Sequence, residues 1–207
     1  MSAKAKTTNQ ESTKERILEH ALFLFANKGF DGASTREIAI AANANHALIK
    51  YHFGNKESLW QAAVDLLFQR QEAYLAEFNQ PATQQLDAEA RFRLFVELYV
   101  RYCAEHPEHA RIMVQESTGK NPRLHWAVSK HLLSTRDTMD DIFADLFDAN
   151  LLPRMSLLSL RYMLTAACQN VFTLATELNY LYGVDATHDT QIRSHTEAVL
   201  KLFLRKS

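Results

Sequence analysis

The chain has 207 residues, of which 47% are hydrophobic, and this is enough to bury a sizeable core. Its formal net charge is −1, so the molecule as a whole is not polycationic, and any affinity for nucleic acid must come from a local basic surface. Its 2 cysteines exclude a disulfide framework and a cysteine-based metal site.

The predicted elements begin after a polar N-terminal stretch. Residues 1–11 are polar and are expected to form a disordered arm, without the apolar core of a signal peptide. The first helix starts at Ser12, which forms a capping box with Glu15, and it ends at Gly29, a residue type favoured just past a helix C-terminus. No apolar run approaches the roughly 20 residues that span a membrane, so the expected location is cytoplasmic.

Two short helices joined by a tight turn come next. Ser34 and Glu37 form a second capping box, and the short apolar stripe behind them ends at Asn43, which tolerates the left-handed backbone. Asn45 is the N-cap of the second short helix, whose Ile49 is expected to face inward and leave a polar face exposed. This arrangement is typical of helix-turn-helix domains, which place side chains in the DNA major groove.

These residues resemble the DNA-binding domain of the tetracycline-repressor (TetR) family of transcriptional regulators. In that family a first helix ends in Lys-Gly-Phe or Lys-Gly-Tyr, a polar cap and an Ile-Ala pair follow, and Tyr-His-Phe precedes a Lys-Glu helix start. The matching positions are Lys28-Gly29-Phe30, Ser34-Thr35, Ile38-Ala39, Tyr51-His52-Phe53 and Lys56-Glu57. The rest of the chain resembles the family only as an all-helical sequence of suitable length.

The resemblance implies a recognition surface. Positions that face base edges are Arg36, His46, Ala47 and Lys50, positions that hold phosphates are Thr35, Tyr51, His52 and Lys56, and the N-cap Asn45 completes the predicted DNA-binding set. The side-chain chemistry agrees, because Arg and Lys suit guanine O6 and N7 while hydroxyl and imidazole groups suit phosphate oxygens. Leu48 replaces a frequent Thr of the family and Lys50 a frequent Tyr, so the operator sequence is not predicted.

Helical patterns fill most of the remaining sequence. They cover residues 56–78, 86–105, a stretch restarting at His106-Pro107, then 123–148, 156–182 and 187–204, with loops at 80–85 and 119–122. The predicted fold is therefore all-α with about nine helices. A three-helix DNA-binding domain is expected over residues 12–58, and a larger helical ligand-binding and dimerisation domain over 59–207.

The middle of the chain mixes large apolar side chains with a few polar ones. Such residues are usually plain core, but the family resemblance implies a ligand cavity among these helices. The candidate ligand-binding residues are Phe92, Tyr99, Cys103, Met113, Gln115, Trp126, Met139, Phe143 and Asn170. His106 and His109 have a spacing that can hold a metal ion on one helix face, yet exposed helix-end histidines are the commoner explanation, and no metal site is predicted.

The last two predicted helices are apolar over a wide arc, so they must bury more than one stripe. The alternatives are a central core helix of a monomer or a dimer interface, and the resemblance implies a four-helix bundle across a two-fold axis. The candidate interface residues are Leu157, Leu160, Leu164, Ala167, Val171, Leu174, Val199 and Phe203.

The resemblance implies a homodimeric regulator, a repressor rather than an activator, that binds a palindromic operator and is released by an apolar small-molecule effector. The effector is expected to swing the linker helix, residues 56–78, and so to change the spacing of two reading heads that lie about 34 Å apart on DNA. No cofactor is implied. The alternative is an all-helical small-molecule-binding protein or enzyme with a structural helix-turn-helix, against which the lack of a recognisable catalytic arrangement counts.

Overall fold

The computed structural model describes residues 2–205, without the side chains of residues 2–12, 134, 135, 137 and 138. Regular structure in this part of the chain is entirely helical, which confirms the predicted all-α class. The α-helices are α1 (Ser2–Gly32), α2 (Thr35–Ala41), α3 (His46–Phe53), α4 (Lys56–Tyr74), α5 (Ala88–Glu105), α6 (Pro107–Ser117), α7 (Pro122–Ala127), α8 (Leu133–Asp148), α9 (Leu157–Thr173), α10 (Ala175–Tyr182) and α11 (Asp189–Phe203). Searched over the same residues, none of these helices has the length and apolar character needed to span a membrane.

Eleven α-helices are present among the described residues, rather than the predicted nine or so. One extra helix arises because the predicted helix over 123–148 is interrupted by a π-helical turn at Val128–Leu132. Another arises because the predicted helix over 156–182 breaks at Leu174, where the backbone has φ −100° and ψ 23°. The preceding Thr173 hydroxyl donates to the Gln169 carbonyl at 2.9 Å, a side-chain bond that tends to bend helices.

The N-terminal end of α1 includes residues of the predicted arm. Their side chains lie outside the described part of the chain, so the disorder expected for residues 1–11 and the cap expected at Ser12 stay predictions. Gly29 interrupts the helical backbone with φ 71° and ψ 173°, a conformation that is essentially restricted to glycine. The predicted end of the first helix at Gly29 therefore corresponds to a kink inside α1.

The chain folds as two compact units, and unit 1 contains residues 2–68 together with 111–127. Helix α2 packs against both α1 and α3, and the residues buried on them include Ile17, Leu22, Phe25, Ile38, Ile49 and Phe53. The segment 111–127 belongs to this unit through side-chain contacts. The Gln115 amide donates to the Ala26 carbonyl at 2.9 Å, and the Trp60 and Trp126 rings meet edge to face at 5.8 Å.

Unit 2 contains residues 69–110 and 128–205. Helix α5 lies at its centre and packs against α8, α9 and α11. Its core is apolar and aromatic, and includes Phe92, Val96, Val100, Phe143, Leu146, Leu160, Leu164, Phe172, Val199 and Leu200. Unit 1 also takes in residues 59–68 and 111–127, and the functional division expected at residues 58 and 59 stays a prediction.

Candidate nucleic-acid interface

The start of α2 is fixed by the capping box that the sequence predicted. The Glu37 amide donates to the Ser34 hydroxyl at 3.1 Å, and the Glu37 carboxylate accepts from the Ser34 amide at 3.1 Å. Lys28 donates to the same carboxylate at 2.9 Å. The Lys28 hydrogen bond, followed by those from Ser34, lowers the pKa of Glu37, so the carboxylate stays ionised at the positive end of the helix.

The turn and helix α3 also follow the predicted pattern. Asn43 has φ 47° in the turn, and the Asn45 side chain caps α3 by accepting from the Ala47 amide at 2.9 Å. Ile49 and Phe53 are buried beneath α3, while Ala47, Lys50 and Tyr51 are exposed. The observed helix-turn-helix therefore presents the polar face that the sequence predicted.

A hydrogen bond joins the starts of α2 and α3 on that exposed side. Thr35 Oγ1 and His46 Nε2 lie 3.0 Å apart, so the two helix starts share one side-chain contact. Arg36, next along α2, is exposed. Because a helix start carries a partial positive charge, this edge is suited to an anionic partner.

His52 differs from the other predicted contacts. It is half-buried, and its Nε2 is buried without a hydrogen-bond partner among the described residues. Its ring meets the Tyr51 ring edge to face at 5.0 Å. Tyr51 is 71% exposed and is thus the better placed of the two neighbours to meet a partner.

Lys56 begins α4 behind the cap that Asn55 provides. The Asn55 side chain accepts from the Ser58 amide at 2.8 Å. The Lys56 ammonium lies 4.5 Å from the centre of the Phe30 ring, and the Arg123 guanidinium lies 3.8 Å from the same centre. Sequence reasoning missed Arg123, because nothing in the spacing of α7 indicates that it meets the helix-turn-helix.

All nine predicted DNA-binding residues lie on α2, α3, the turn between them and the first residue of α4. The structure thus brings them onto neighbouring helices of unit 1. All nine side chains are at least partly accessible, and His52 is the one of the nine that has a buried atom without a hydrogen-bond partner in the described part of the chain. Their contact with DNA is untested by the geometry and stays a prediction.

The nine candidate ligand residues divide between the units. Met113, Gln115 and Trp126 belong to unit 1, and the other six belong to unit 2. Of those six, Phe92, Cys103 and Phe143 are buried, Tyr99 and Met139 are half-buried, and Asn170 is exposed on α9. Burial raises the pKa of the Cys103 thiol far above its ordinary value and that of Cys168 to about 12, so both thiols are protonated and unreactive.

A polar cluster in unit 2 was not foreseen. His109, expected on an exposed helix end, is buried, and its Nδ1 lies 2.6 Å from the Tyr102 hydroxyl. Desolvation lowers the pKa of His109 to about 4 and raises that of Tyr102, so this hydrogen bond joins a neutral phenol and a neutral imidazole. His106 pairs with Glu108 at 3.1 Å, and the rings of both histidines lie against the Tyr102 ring.

The candidate dimer residues separate into two groups. Leu160, Leu164, Val199 and Phe203 are buried in the core of unit 2, so their side chains are not available to a second copy. Leu157 and Leu174 are 39% and 52% exposed, and Ala167 and Val171 are half-buried. Periodicity predicts a buried stripe, but it does not distinguish burial by the same chain from burial by a partner.

Comparison with known proteins bears on this interface. Residues 17–63 match the family model described as bacterial regulatory proteins, tetR family. A probable HTH-type transcriptional regulator, YttP of Bacillus subtilis (strain 168), is 30% identical over 125 residues, which are 60% of this chain and 60% of that protein. The HTH-type transcriptional repressor NicS of Pseudomonas putida is 29% identical over 126 residues, which are 59% of this chain and 55% of that protein.

These curated relatives are thus matched over about three fifths of their length. The crystal structure of HlyIIR, a hemolysin II transcriptional regulator, superposes with a TM-score of 0.71 over 95% of this chain and 99% of that chain. At 18% sequence identity, this likeness establishes the shared fold.

Proposed function

We propose that this chain, whose residues 17–63 match the family model of bacterial regulatory proteins, tetR family, is a member of that family and a transcriptional repressor that binds a palindromic DNA operator. The observation that carries the proposal is the capped helix-turn-helix, in which α3 buries Ile49 and Phe53 and exposes Lys50. A regulator acts where the chromosome is, so the proposal includes a cytoplasmic location.

In the proposed complex, α3 lies in the major groove. Lys50, His46 and Ala47 face base edges there, together with Arg36 from α2. Tyr51, Thr35 and Lys56 meet phosphates, and the capped helix starts of α2 and α3 add backbone donors. An ammonium such as that of Lys50 suits the O6 and N7 acceptors of guanine, so we expect a guanine in each half-site.

The proposal includes a homodimer, because one reading head buries too little surface to select a site tightly at cellular salt. The support is an apolar surface on α9, α10 and α11. Helix α10 has no fully buried side chain. The exposed apolar residues on these three helices and at the break between α9 and α10 are Leu157, Leu158, Tyr162, Met163, Leu174, Tyr180, Leu181, Tyr182 and Leu202. Large exposed apolar surfaces of this kind mark interaction sites.

The effector is proposed to be an apolar small molecule that binds among the helices of unit 2. Support comes from Tyr99, which is half-buried against the apolar core of unit 2 and supplies a sparse polar anchor there. A molecule that binds one state of this unit more tightly shifts the dimer toward that state. If that state spaces the two heads away from about 34 Å, the operator is released.

A gel shift with fragments of the source genome tests the proposal. We expect the full chain to retain a small set of fragments in the presence of excess random-sequence competitor. The double variant Arg36→Ala/Lys50→Ala is the matched control, and we expect it to lose this selection while keeping weak binding to all fragments. Equal retention of every fragment by the wild type would contradict sequence-specific regulation.

A further inference from the structure

An ion pair in unit 1 lies close to one of the proposed phosphate contacts. Arg123, on α7, directs its Nε at both carboxylate oxygens of Glu116, each at 3.1 Å. The Glu116 side chain is 6% exposed and the Arg123 side chain 17%. Separating two charges so far removed from water would leave each one buried without a partner, so the pair has a fixed geometry.

The arginine of this pair also packs on an aromatic ring. The Arg123 guanidinium lies 3.8 Å from the centre of the Phe30 ring, and the Lys56 ammonium lies 4.5 Å from the same centre. Both cations are attracted by the ring electrons. Glu116 neutralises Arg123, so Lys56 shares the ring without facing a second uncompensated positive charge.

The segment that carries the ion pair is anchored to the helix-turn-helix at two further points. The Gln115 amide donates to the Ala26 carbonyl of α1, and Trp126 meets Trp60 of α4 edge to face. Residues 111–127 therefore brace the first and fourth helices of unit 1. Arg123 is the residue of this brace that reaches the ring beneath Lys56.

We propose that Arg123 is a positioning residue for DNA binding. Held by Glu116, it fixes the Phe30 ring, and the ring holds Lys56 in the orientation from which its ammonium meets a DNA phosphate. The inference rests on the proposed function, in which Lys56 contacts phosphate. It adds that this contact depends on a residue more than sixty positions away in the sequence, outside residues 17–63.

The test is a double-mutant cycle on the full chain, with Lys56→Ala, Arg123→Met and the combination. Methionine keeps much of the length and apolar volume of arginine and removes its charge. Affinity is measured against salt concentration on random duplex DNA, where phosphate contacts act without any specific site. Thermal unfolding and the fluorescence of Trp60 and Trp126, the 2 tryptophans of the chain, report whether each variant is folded.

We expect Lys56→Ala and Arg123→Met each to lower the slope of log affinity against log salt by about one per subunit. In the Lys56→Ala background, Arg123→Met should cause no further change. Arg93→Met is the control, because Arg93 pairs with Glu89 on α5, and it should leave the slope unchanged. If Arg123→Met does not fold, Phe30→Leu replaces it in the cycle with Lys56→Ala, because this variant removes the ring and keeps the ion pair.

Two results would overturn the inference: a wild-type slope in Arg123→Met, or a further loss of slope when it is added to Lys56→Ala. The second would mean that Arg123 acts independently of Lys56. Failure of the proposed function would look different. The wild type would then bind random DNA and genomic fragments equally, while the cycle on random DNA would still report on Arg123.

Discussion

At the scale of single residues, neighbouring positions on α3 have opposite roles. Ile49 is 2% exposed and part of the buried face, whereas Lys50 beside it is exposed. Lys50→Ala removes the proposed guanine contact and keeps the helix. We expect specific binding to weaken by about 1–3 kcal/mol and the preference at one base pair of each half-site to relax, as measured by binding-site selection.

The control for this prediction is Arg93→Ala, which removes a cation from the exposed pair with Glu89 on α5. It should leave both affinity and base preference as in the wild type. If Lys50→Ala kept the wild-type base preference, Lys50 would not read a base edge.

His109 should make the stability of the folded chain depend on pH. Burial lowers the pKa of His109 from 6.5 to about 4. Between these two pH values its imidazole is therefore protonated in the unfolded chain and neutral in the folded chain. The free energy of unfolding should therefore fall as pH decreases from about 6.5 to 4, by about 3 kcal/mol from this residue, and be unaffected by it at higher pH.

Urea unfolding of the wild type and His109→Gln at pH 7 and pH 5 measures this contribution. We expect the variant to lose less stability than the wild type between the two pH values. His125→Gln, at an exposed position, should keep the wild-type difference. An identical pH dependence in His109→Gln would show that His109 is not held neutral by burial.

At the scale of elements, Gly29 sets the kink of α1. Its backbone, with φ 71° and ψ 173°, is a conformation that other residues adopt only with strain. Gly29→Ala should therefore lower the free energy of unfolding by about 1–3 kcal/mol in denaturant titration. Gly119→Ala is the control, since a Cβ there meets no atom within 4 Å, and it should change stability by less than about 0.5 kcal/mol. Equal effects of both would exclude backbone strain at Gly29.

Elements with local chemical signals could be predicted from the sequence. The caps at Ser34 and Asn45 are such signals, and each makes the expected bond. The break at Leu174 has no glycine or proline to mark it, and it was missed. The ion pair of Arg123 with Glu116 and the burial of His109 were also missed, because both depend on tertiary packing that spacing along one helix does not encode.

At the scale of the whole molecule, exposure separates core residues from candidate interface residues. Tyr162 is 68% exposed on α9, whereas Leu164 two positions on is fully buried. Tyr162→Lys should therefore give a folded monomer in sedimentation experiments, because a lysine in the proposed interface must be desolvated without a partner. Leu164→Glu should unfold the chain, since it places the charge in the core of unit 2.

The control is Phe23→Lys, at a position that is 63% exposed on α1, and it should leave the association state unchanged. A Tyr162→Lys protein that sediments like the wild-type dimer would exclude this face of α9 from the interface.

The central claim is that two copies of the chain read a palindromic DNA site through α3. Selection and sequencing of random duplexes retained by the full chain tests it most directly. We expect an enriched inverted repeat with guanine in each half-site and half-site centres about one DNA turn apart, roughly 34 Å. Recovery of no enriched sequence, or of a single unrepeated one, would contradict it.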